Sequence, residues 1–144
     1  MGNIYDYYAA TDDGHALALF EDDRMDDPFG TLGLKGAEPY LLLGTVEAHL
    51  TGVSEEQVEA GPRFCEPLNE AEHEGPWLVS LTDSLRDALA AATSERLLET
   101  ATAWTHTEDG AGEDPALLAD FLERLGELAR DARPLRRLYC GISL

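Results

Sequence analysis

The chain has 144 residues, 44% of them hydrophobic, and its 29 acidic and 10 basic residues give a formal net charge of -19. This length and apolar content predict a single folded domain, residues 1–144, and not a disordered acidic tail. The charge disfavours nucleic acid and anionic membranes as partners and favours cationic ones, and its greater part, -13, falls in residues 1–72.

The first segment, Ile4–Ala10, favours a β-strand because it is rich in aromatic and β-branched residues. In a strand, Tyr5 and Tyr7 share one face, and Asp6 and Tyr8 share the other. Thr11, Asp12 and Asp13 are typical of a helix start. A short helix is therefore expected next, with its buried side formed by Ala16, Leu17, Leu19 and Phe20.

Residues 21–36 are predicted to form a loop, which carries the aspartates 22, 23, 26 and 27 before Pro28. Apolar spacing predicts a helix from about Pro39 to Leu50, with Gly52 as its stop. Ser54 and Gln57 have the spacing of a capping box and predict one further short turn. Residues 60–76 contain three prolines and many acids, which indicates a surface excursion.

The second half of the chain also contains sequence patterns that are typical of strands and helices. Residues 77–81 are apolar except for Ser80 and predict a strand, and Thr82 suits the start of a helix. Apolar spacing resumes around residues 97–104, and Asp114-Pro115 marks the start of the clearest helix, which Pro134 ends. Residues 138–144 alternate as a final strand. The chain is therefore expected to be an α+β domain, with a small sheet that includes both terminal strands and helices packed on one side.

The order of these elements resembles a known family. A strand follows the initial Met-Gly, a helix ends in Leu50-Thr51-Gly52, and the segment Leu78-Val79-Ser80-Leu81-Thr82 leads into a helix. A long helix then precedes a terminal apolar strand. This layout is similar to the YfbM-like family of small bacterial proteins, a domain of unknown function. The resemblance implies an α+β fold and assigns no residue a role.

Motifs for metals, nucleotides and covalent catalysis are not found. The sequence has no HExxH, GxGxxG or GxSxG pattern, and Cys65 and Cys140 are far apart, so neither a cofactor nor a metal is expected. The amino terminus lacks the apolar region of a signal peptide, which favours a cytoplasmic protein with free thiols. A cluster of arginines near the carboxyl terminus is expected to cap the last helix and pair with local acids, and the alternative is a phosphate or carboxylate site (Arg130, Arg133, Arg136, Arg137).

Two hypotheses of function follow. The favoured one is a non-catalytic binding protein, for example of the immunity type, that engages a basic protein partner. Its candidate binding residues are the strand tyrosines and the loop aspartates (Tyr5, Tyr7, Tyr8, Asp22, Asp23, Asp26, Asp27). The alternative is a small hydrolase or other acid–base enzyme, in which His106, Glu108 and Asp6 are the candidate catalytic groups.

Overall fold

The computed structural model describes residues 4–21, 38–70 and 76–143, which contain three strands and six helices. The strands are β1 (Ile4–Ala10), β2 (Trp77–Ser80) and β3 (Arg137–Ser143). The helices are α1 (Asp13–Glu21), α2 (Pro39–Thr51), α3 (Glu55–Ala60), α4 (Asp83–Ala91), α5 (Ser94–Thr105) and α6 (Pro115–Ala132).

The strands form one antiparallel sheet in the order β1-β3-β2. The predicted α+β class and the prediction that one sheet includes both terminal strands are therefore confirmed, and the structure shows in addition that these two strands are paired. Strand β1 has the predicted bounds, and β3 begins one residue before the predicted start, at Arg137. The central position of β3 ties the two ends of the described chain together.

The main core lies on the sheet face that carries Tyr7, Cys140 and Val79. Side chains of α2, α4, α5 and α6 form one core with this face; α4 and α6 contact the strands, and α5 packs on α2 and α6. The predicted core residues are all buried there (Leu118, Phe121, Leu122, Leu125, Cys140). The prediction that helices cover one side holds for these four helices.

The opposite face has a smaller core, which the sequence analysis did not foresee. Tyr8, Tyr139 and Leu78 form its floor, and α1 covers it through the buried Ala16. Tyr8 donates a hydrogen bond from its hydroxyl to the backbone oxygen of Ala16, at 2.7 Å. The short helix α1 buries this face together with Leu68, which packs against the same cluster, and Arg63, which lies over the Tyr139 ring.

The helix ends follow from local sequence. Asp114 accepts a hydrogen bond from the backbone N–H of Ala116 at 2.9 Å, and Pro115 occupies the first turn, as predicted. Gly52 ends α2 in the left-handed conformation, with φ of 79°, which a residue without Cβ adopts without strain. Among the described residues, no helix is long and apolar enough to cross a membrane.

Candidate functional site

The strand tyrosines differ in their accessibility. Tyr7 is fully buried, with its ring 5.2 Å from that of Phe121, and Tyr8 is fully buried on the opposite face. Both side chains therefore pack inside the domain and present no surface to a partner, which corrects their prediction as binding residues. Tyr5 is only partly buried, so among the three it alone lies where a ligand can reach it.

Strand register places Tyr5 and Trp77 on either side of Ile142. Tyr5 pairs with Ile142 of β3, and Ile142 pairs on its other side with Trp77 of β2. The three side chains therefore form a row across one end of the sheet, on the face that α2 covers. The row is the floor of a cavity of about 380 Å³, here called the aromatic groove (Tyr5, Glu38, Tyr40, Pro67, Trp77, Val79, Ile142).

The start of α2 forms the wall of the aromatic groove. Tyr40 is 48% exposed, and its hydroxyl donates a hydrogen bond to the backbone oxygen of Cys65 at 2.8 Å. The ring of Phe64 meets the Tyr40 ring edge-on, with 6.2 Å between the centroids. These two contacts hold the Tyr40 ring at the groove while much of its surface stays open to solvent.

Among the described residues that line the aromatic groove, Glu38 supplies the only formal charge. Its two carboxylate oxygens accept hydrogen bonds from the backbone N–H groups of Tyr40, at 3.1 Å, and Leu41, at 2.9 Å. The carboxylate is thus fixed as the N-cap of α2. These hydrogen bonds to the backbone hold the Glu38 carboxylate in place beside the rings.

The negative charge of Glu38 contributes to the raised pKa values of two neighbouring groups, Tyr40 and Cys65. Burial raises the pKa of Tyr40, and the Cys65 thiolate, which forms only at high pH, and the carboxylate of Glu38 raise it further. Burial also raises the pKa of Cys65 to about 12, with added contributions from Glu38, Glu47 and Glu59. Both groups are therefore neutral near pH 7, and the groove combines a negative potential with aromatic surface. This is the combination that attracts a cation.

A second cavity, of about 400 Å³, lies between the end of α2, α3 and the start of α4. We call it the polar pocket; its charged and hydroxyl side chains are those of Glu47, Thr51, Arg63, Thr82, Asp83 and Ser84. Glu47 is only 5% exposed. Its carboxylate accepts hydrogen bonds from the hydroxyls of Thr82 and, at 2.6 Å, Ser84. The two oxygens of this carboxylate are thus satisfied within the protein, at the positive end of α4.

Arg63 borders the polar pocket but is held by groups outside it. Its Nη1 lies 3.0 Å from Asp13 Oδ1, and its guanidinium carbon lies 5.7 Å from the centre of the Tyr139 ring. Tyr139 in turn donates a hydrogen bond to Asp13 at 2.7 Å. The Arg63 backbone has a positive φ of 71°, and its carbonyl accepts a hydrogen bond from Ser80 at 2.7 Å. Arg63 therefore joins α1 to the edge of the sheet.

The remaining predicted residues do not form a site. His106 caps the end of α5, and Glu108 follows it in a turn; both side chains are exposed. Asp6 is partly buried on β1, opposite Gly141. In the part of the chain that the structure describes, no hydrogen bond or ion pair joins these three residues. The aspartates 22, 23, 26 and 27 lie outside the described residues.

The carboxyl-terminal arginines engage acids of the neighbouring helix α4. Arg133 Nε lies 3.2 Å from Asp87, and Arg137 Nε lies 3.4 Å from Asp83. These pairs agree with the predicted role of the cluster in local charge pairing. Within residues 4–21, 38–70 and 76–143, no three histidine, cysteine or carboxylate side chains are grouped so that they could hold a metal ion.

Comparisons with models of protein families, with curated proteins and with solved structures find no match to this chain. The resemblance to the YfbM-like family thus stays a prediction.

Sequence reasoning found one member of the aromatic groove, Tyr5, and missed its companions. Pro39 is a readable signal, because proline is common at the first position of a helix and so points to Glu38 as the cap. Trp77 at the beginning of a predicted strand is a weaker one. No local pattern indicates that these residues meet, since they are 33 or more positions from Tyr5 in the chain.

Proposed function

We propose that the protein is a non-catalytic interaction protein that binds a basic protein partner and receives a cationic side chain of that partner in the aromatic groove. One observation carries the proposal: Tyr5, Tyr40 and Trp77 line a single groove together with the carboxylate of Glu38. Aromatic faces beside a negative charge bind cations through the ring quadrupole. The neutralisation of a basic toxin by an immunity-type protein is an example of such a role.

The charge of the whole chain supports the same partner. The formal net charge is -19, and acids are exposed along the segments that border the groove, including Glu66 and Glu70. A strong field of one sign accelerates encounters with a partner of opposite charge and makes association sensitive to salt. The acidic surface thus promotes the encounter, and the groove provides the short-range contact.

The polar pocket supports binding less well. Its buried carboxylate already accepts two hydroxyl hydrogen bonds, and Arg63 is paired with Asp13. A ligand of the Glu47 carboxylate would have to displace these bonds, whereas Nε and Nη2 of Arg63 are buried without a hydrogen-bond partner among the described atoms. His106 and Glu108 are exposed and share no hydrogen bond among the described contacts, which gives the hydrolase hypothesis no support.

The test uses a short peptide rich in lysine and arginine, with a neutral glycine- and serine-rich peptide as the ligand control. Binding is measured by calorimetry at about 0.05 M and about 0.5 M salt, since screening lengths shorten strongly over this range. We expect the basic peptide to bind and its affinity to fall at least about tenfold at the higher salt. Equal affinity at both salt concentrations, or equal binding of the neutral peptide, would contradict the proposal.

A matched pair of variants locates the contact. Glu38→Gln and Glu55→Gln each remove one charge, but Glu55 lies on α3, beyond the far end of α2, which spans about 20 Å. We expect Glu38→Gln to weaken peptide binding several-fold more than Glu55→Gln. Thermal unfolding of both variants serves as the folding control. Equal effects of the two would show that only the total charge matters and that the groove is not the contact.

A further inference from the structure

One edge of the Arg63 guanidinium has no hydrogen-bond partner among the described atoms. Nη1 lies 3.0 Å from Asp13 Oδ1, whereas Nε and Nη2 are buried and donate to no described acceptor. The N–H groups of Nε and Nη2 point in the same direction, which is the geometry that the two oxygens of a carboxylate match. Because a buried donor without an acceptor destabilises a fold, this edge indicates a place for the carboxylate of a ligand.

The backbone holds Arg63 in an uncommon conformation. Arg63 and Cys65 have positive φ values of 71° and 46°, in a region that residues with a side chain rarely adopt. The Arg63 carbonyl accepts a hydrogen bond from the hydroxyl of the buried Ser80 at 2.7 Å, which fixes the turn. Strained residues of this kind cluster at ligand-binding sites. The strain at Arg63 therefore agrees with a role in binding.

Arg63 lines the polar pocket together with a second group that lacks a hydrogen bond. Asp83 belongs to the same lining, and its Oδ1 is buried and accepts no hydrogen bond among the described atoms. Arg86 Nη1 lies 3.7 Å from this oxygen, which is an ion pair but too long for a hydrogen bond. The described lining falls in two unbroken stretches, residues 47–63 and 82–84, neither of which adjoins an undescribed segment of the chain.

The charges of the lining indicate which class of ligand fits. Glu47 and Asp83 carry carboxylates, and Arg63 carries the guanidinium, in the described lining. A phosphate or a dicarboxylate would be repelled by these two carboxylates and by the net charge of -19. A zwitterion has no net charge, and its two charged groups match the unpartnered ones: a carboxylate accepts from Arg63, and an ammonium donates to Asp83.

We propose that the polar pocket binds a free amino acid with an aliphatic side chain, whose carboxylate pairs with Arg63 and whose ammonium pairs with Asp83. The cavity of about 400 Å³ is at the lower end of the range of ligand sites, about 300–1,000 Å³, so it holds a single small molecule. Protein atoms cover Nε and Nη2, so the guanidinium turns towards the pocket as the ligand enters, and its contact with Asp13 through Nη1 alone permits this rotation. Apolar side chains in the lining suit the aliphatic group (Val53, Val58, Pro62).

The first experiment measures the binding of small probes to the full chain by calorimetry. The probes are L-valine, L-valinamide, which lacks the carboxylate, 3-methylbutanoate, which lacks the ammonium, and inorganic phosphate. We expect valine to bind at least about tenfold more tightly than each of the others, because only valine gains both charged contacts. No binding of valine at millimolar concentrations, or equal binding of any other probe, would overturn the inference.

A matched pair of variants tests the carboxylate contact. Arg63→Lys keeps the positive charge and removes the paired N–H edge, so we expect the affinity for valine to fall at least about tenfold. The control is Arg124→Lys on α6, because Arg124 pairs with Asp120 at 3.2 Å and lies outside the pocket lining. It should leave the affinity for valine unchanged. Thermal unfolding monitors the fold of both variants, and full affinity in a folded Arg63→Lys protein would overturn the inference.

Two further measurements do not depend on the stability of Arg63→Lys. Asp83→Asn should weaken the binding of valine but not that of 3-methylbutanoate, since only valine carries an ammonium, whereas a damaged pocket would weaken both. In nuclear magnetic resonance spectra of the wild type, valine should shift the backbone signals of residues 47–63 and 82–84. Equal weakening of both probes, or shifts confined to other residues, would overturn the inference.

This inference goes beyond the proposed function and does not rest on it. The described linings of the polar pocket and the aromatic groove share no residue. Glu38→Gln, which tests the groove, should therefore leave the affinity for valine unchanged, and a loss of valine binding in this variant would count against the pocket as its site. If valine fails to bind while the basic peptide binds with the expected salt dependence, the inference fails and the proposed function stands.

Discussion

The aromatic groove and the polar pocket have similar volumes, about 380 and 400 Å³, but they use their polar groups differently. In the polar pocket, the carboxylate of Glu47 is buried and accepts side-chain hydroxyls that come from the start of α4. In the aromatic groove, the carboxylate of Glu38 caps its own helix and leaves the neighbouring rings open. The first arrangement stabilises the packing of two helices, whereas the second leaves surface for a ligand.

We expect the largest loss of stability from Glu47→Ala, a substitution that tests the structural role of the polar pocket. Glu47→Ala removes the acceptor of two hydroxyl hydrogen bonds, so the buried Thr82 hydroxyl loses the acceptor for its proton, although it still accepts from the backbone N–H of Leu85. Hydrogen bonds to charged groups contribute about 1.5–3 kcal/mol each, and Ser84 is exposed enough to regain one from water. We expect the free energy of unfolding to fall by about 2–4 kcal/mol, as measured by urea denaturation.

The control for this variant is Glu59→Ala, which removes an exposed carboxylate from α3. Surface substitutions of this kind change stability by no more than about 0.5 kcal/mol. A Glu47→Ala protein as stable as the Glu59→Ala protein would show that the Glu47 carboxylate does not hold α2 to α4. The polar pocket would then be the better candidate for a ligand.

A smaller loss of stability is expected from a substitution in the aromatic groove, Tyr40→Phe. Tyr40→Phe keeps the ring and removes the hydroxyl that donates to the Cys65 carbonyl. A neutral hydrogen bond contributes about 0.5–1.5 kcal/mol, so we expect a stability loss in that range by thermal or urea unfolding. Affinity for a cationic peptide should change little, because the aromatic face remains. A large loss of affinity with stability unchanged would show that the hydroxyl, and not the ring face, contacts the ligand.

The smallest loss of stability is expected on substitution of Asp13, which pairs with Arg63 at the border of the polar pocket. Burial alone would raise the pKa of Asp13, but hydrogen bonds from Tyr139 and Arg63 and the charge of Arg63 lower it below its usual 3.8. A carboxyl group whose pKa is lowered by folding stabilises the protein above its unfolded pKa. That contribution is lost as pH falls through the lower, folded value.

Asp13→Asn should remove this part of the acid sensitivity. Near pH 7 we expect it to cost less than about 1 kcal/mol, because the Asp13–Arg63 pair is partly exposed and screened by solvent. The difference in unfolding free energy between wild type and variant should shrink as pH falls below about 4. A difference that stays constant from pH 7 to about pH 2 would show that the Asp13 carboxylate is not stabilised in the folded protein.

The sequence by itself determined most of the local structure. Period-2 alternation placed β1 and β3, and the Asp114-Pro115 start with 3.6-residue apolar spacing placed α6. These patterns are readable because the direction of the side chains repeats with the geometry of the element itself, although in β3 both faces are buried from Leu138 to Ile142. The buried positions of Phe121 and Cys140 followed from the same rule.

Only the tertiary structure decided which exposed or half-buried side chains meet. Period-2 alternation separated Tyr7 from Tyr8 but gave no sign that α1 covers the second face, so both tyrosines are core residues. The groove depends on the register that places Ile142 between Tyr5 and Trp77, and on the docking of α2 above that row. Local spacing carries no information about contacts between distant segments, because those contacts depend on sheet order and helix packing.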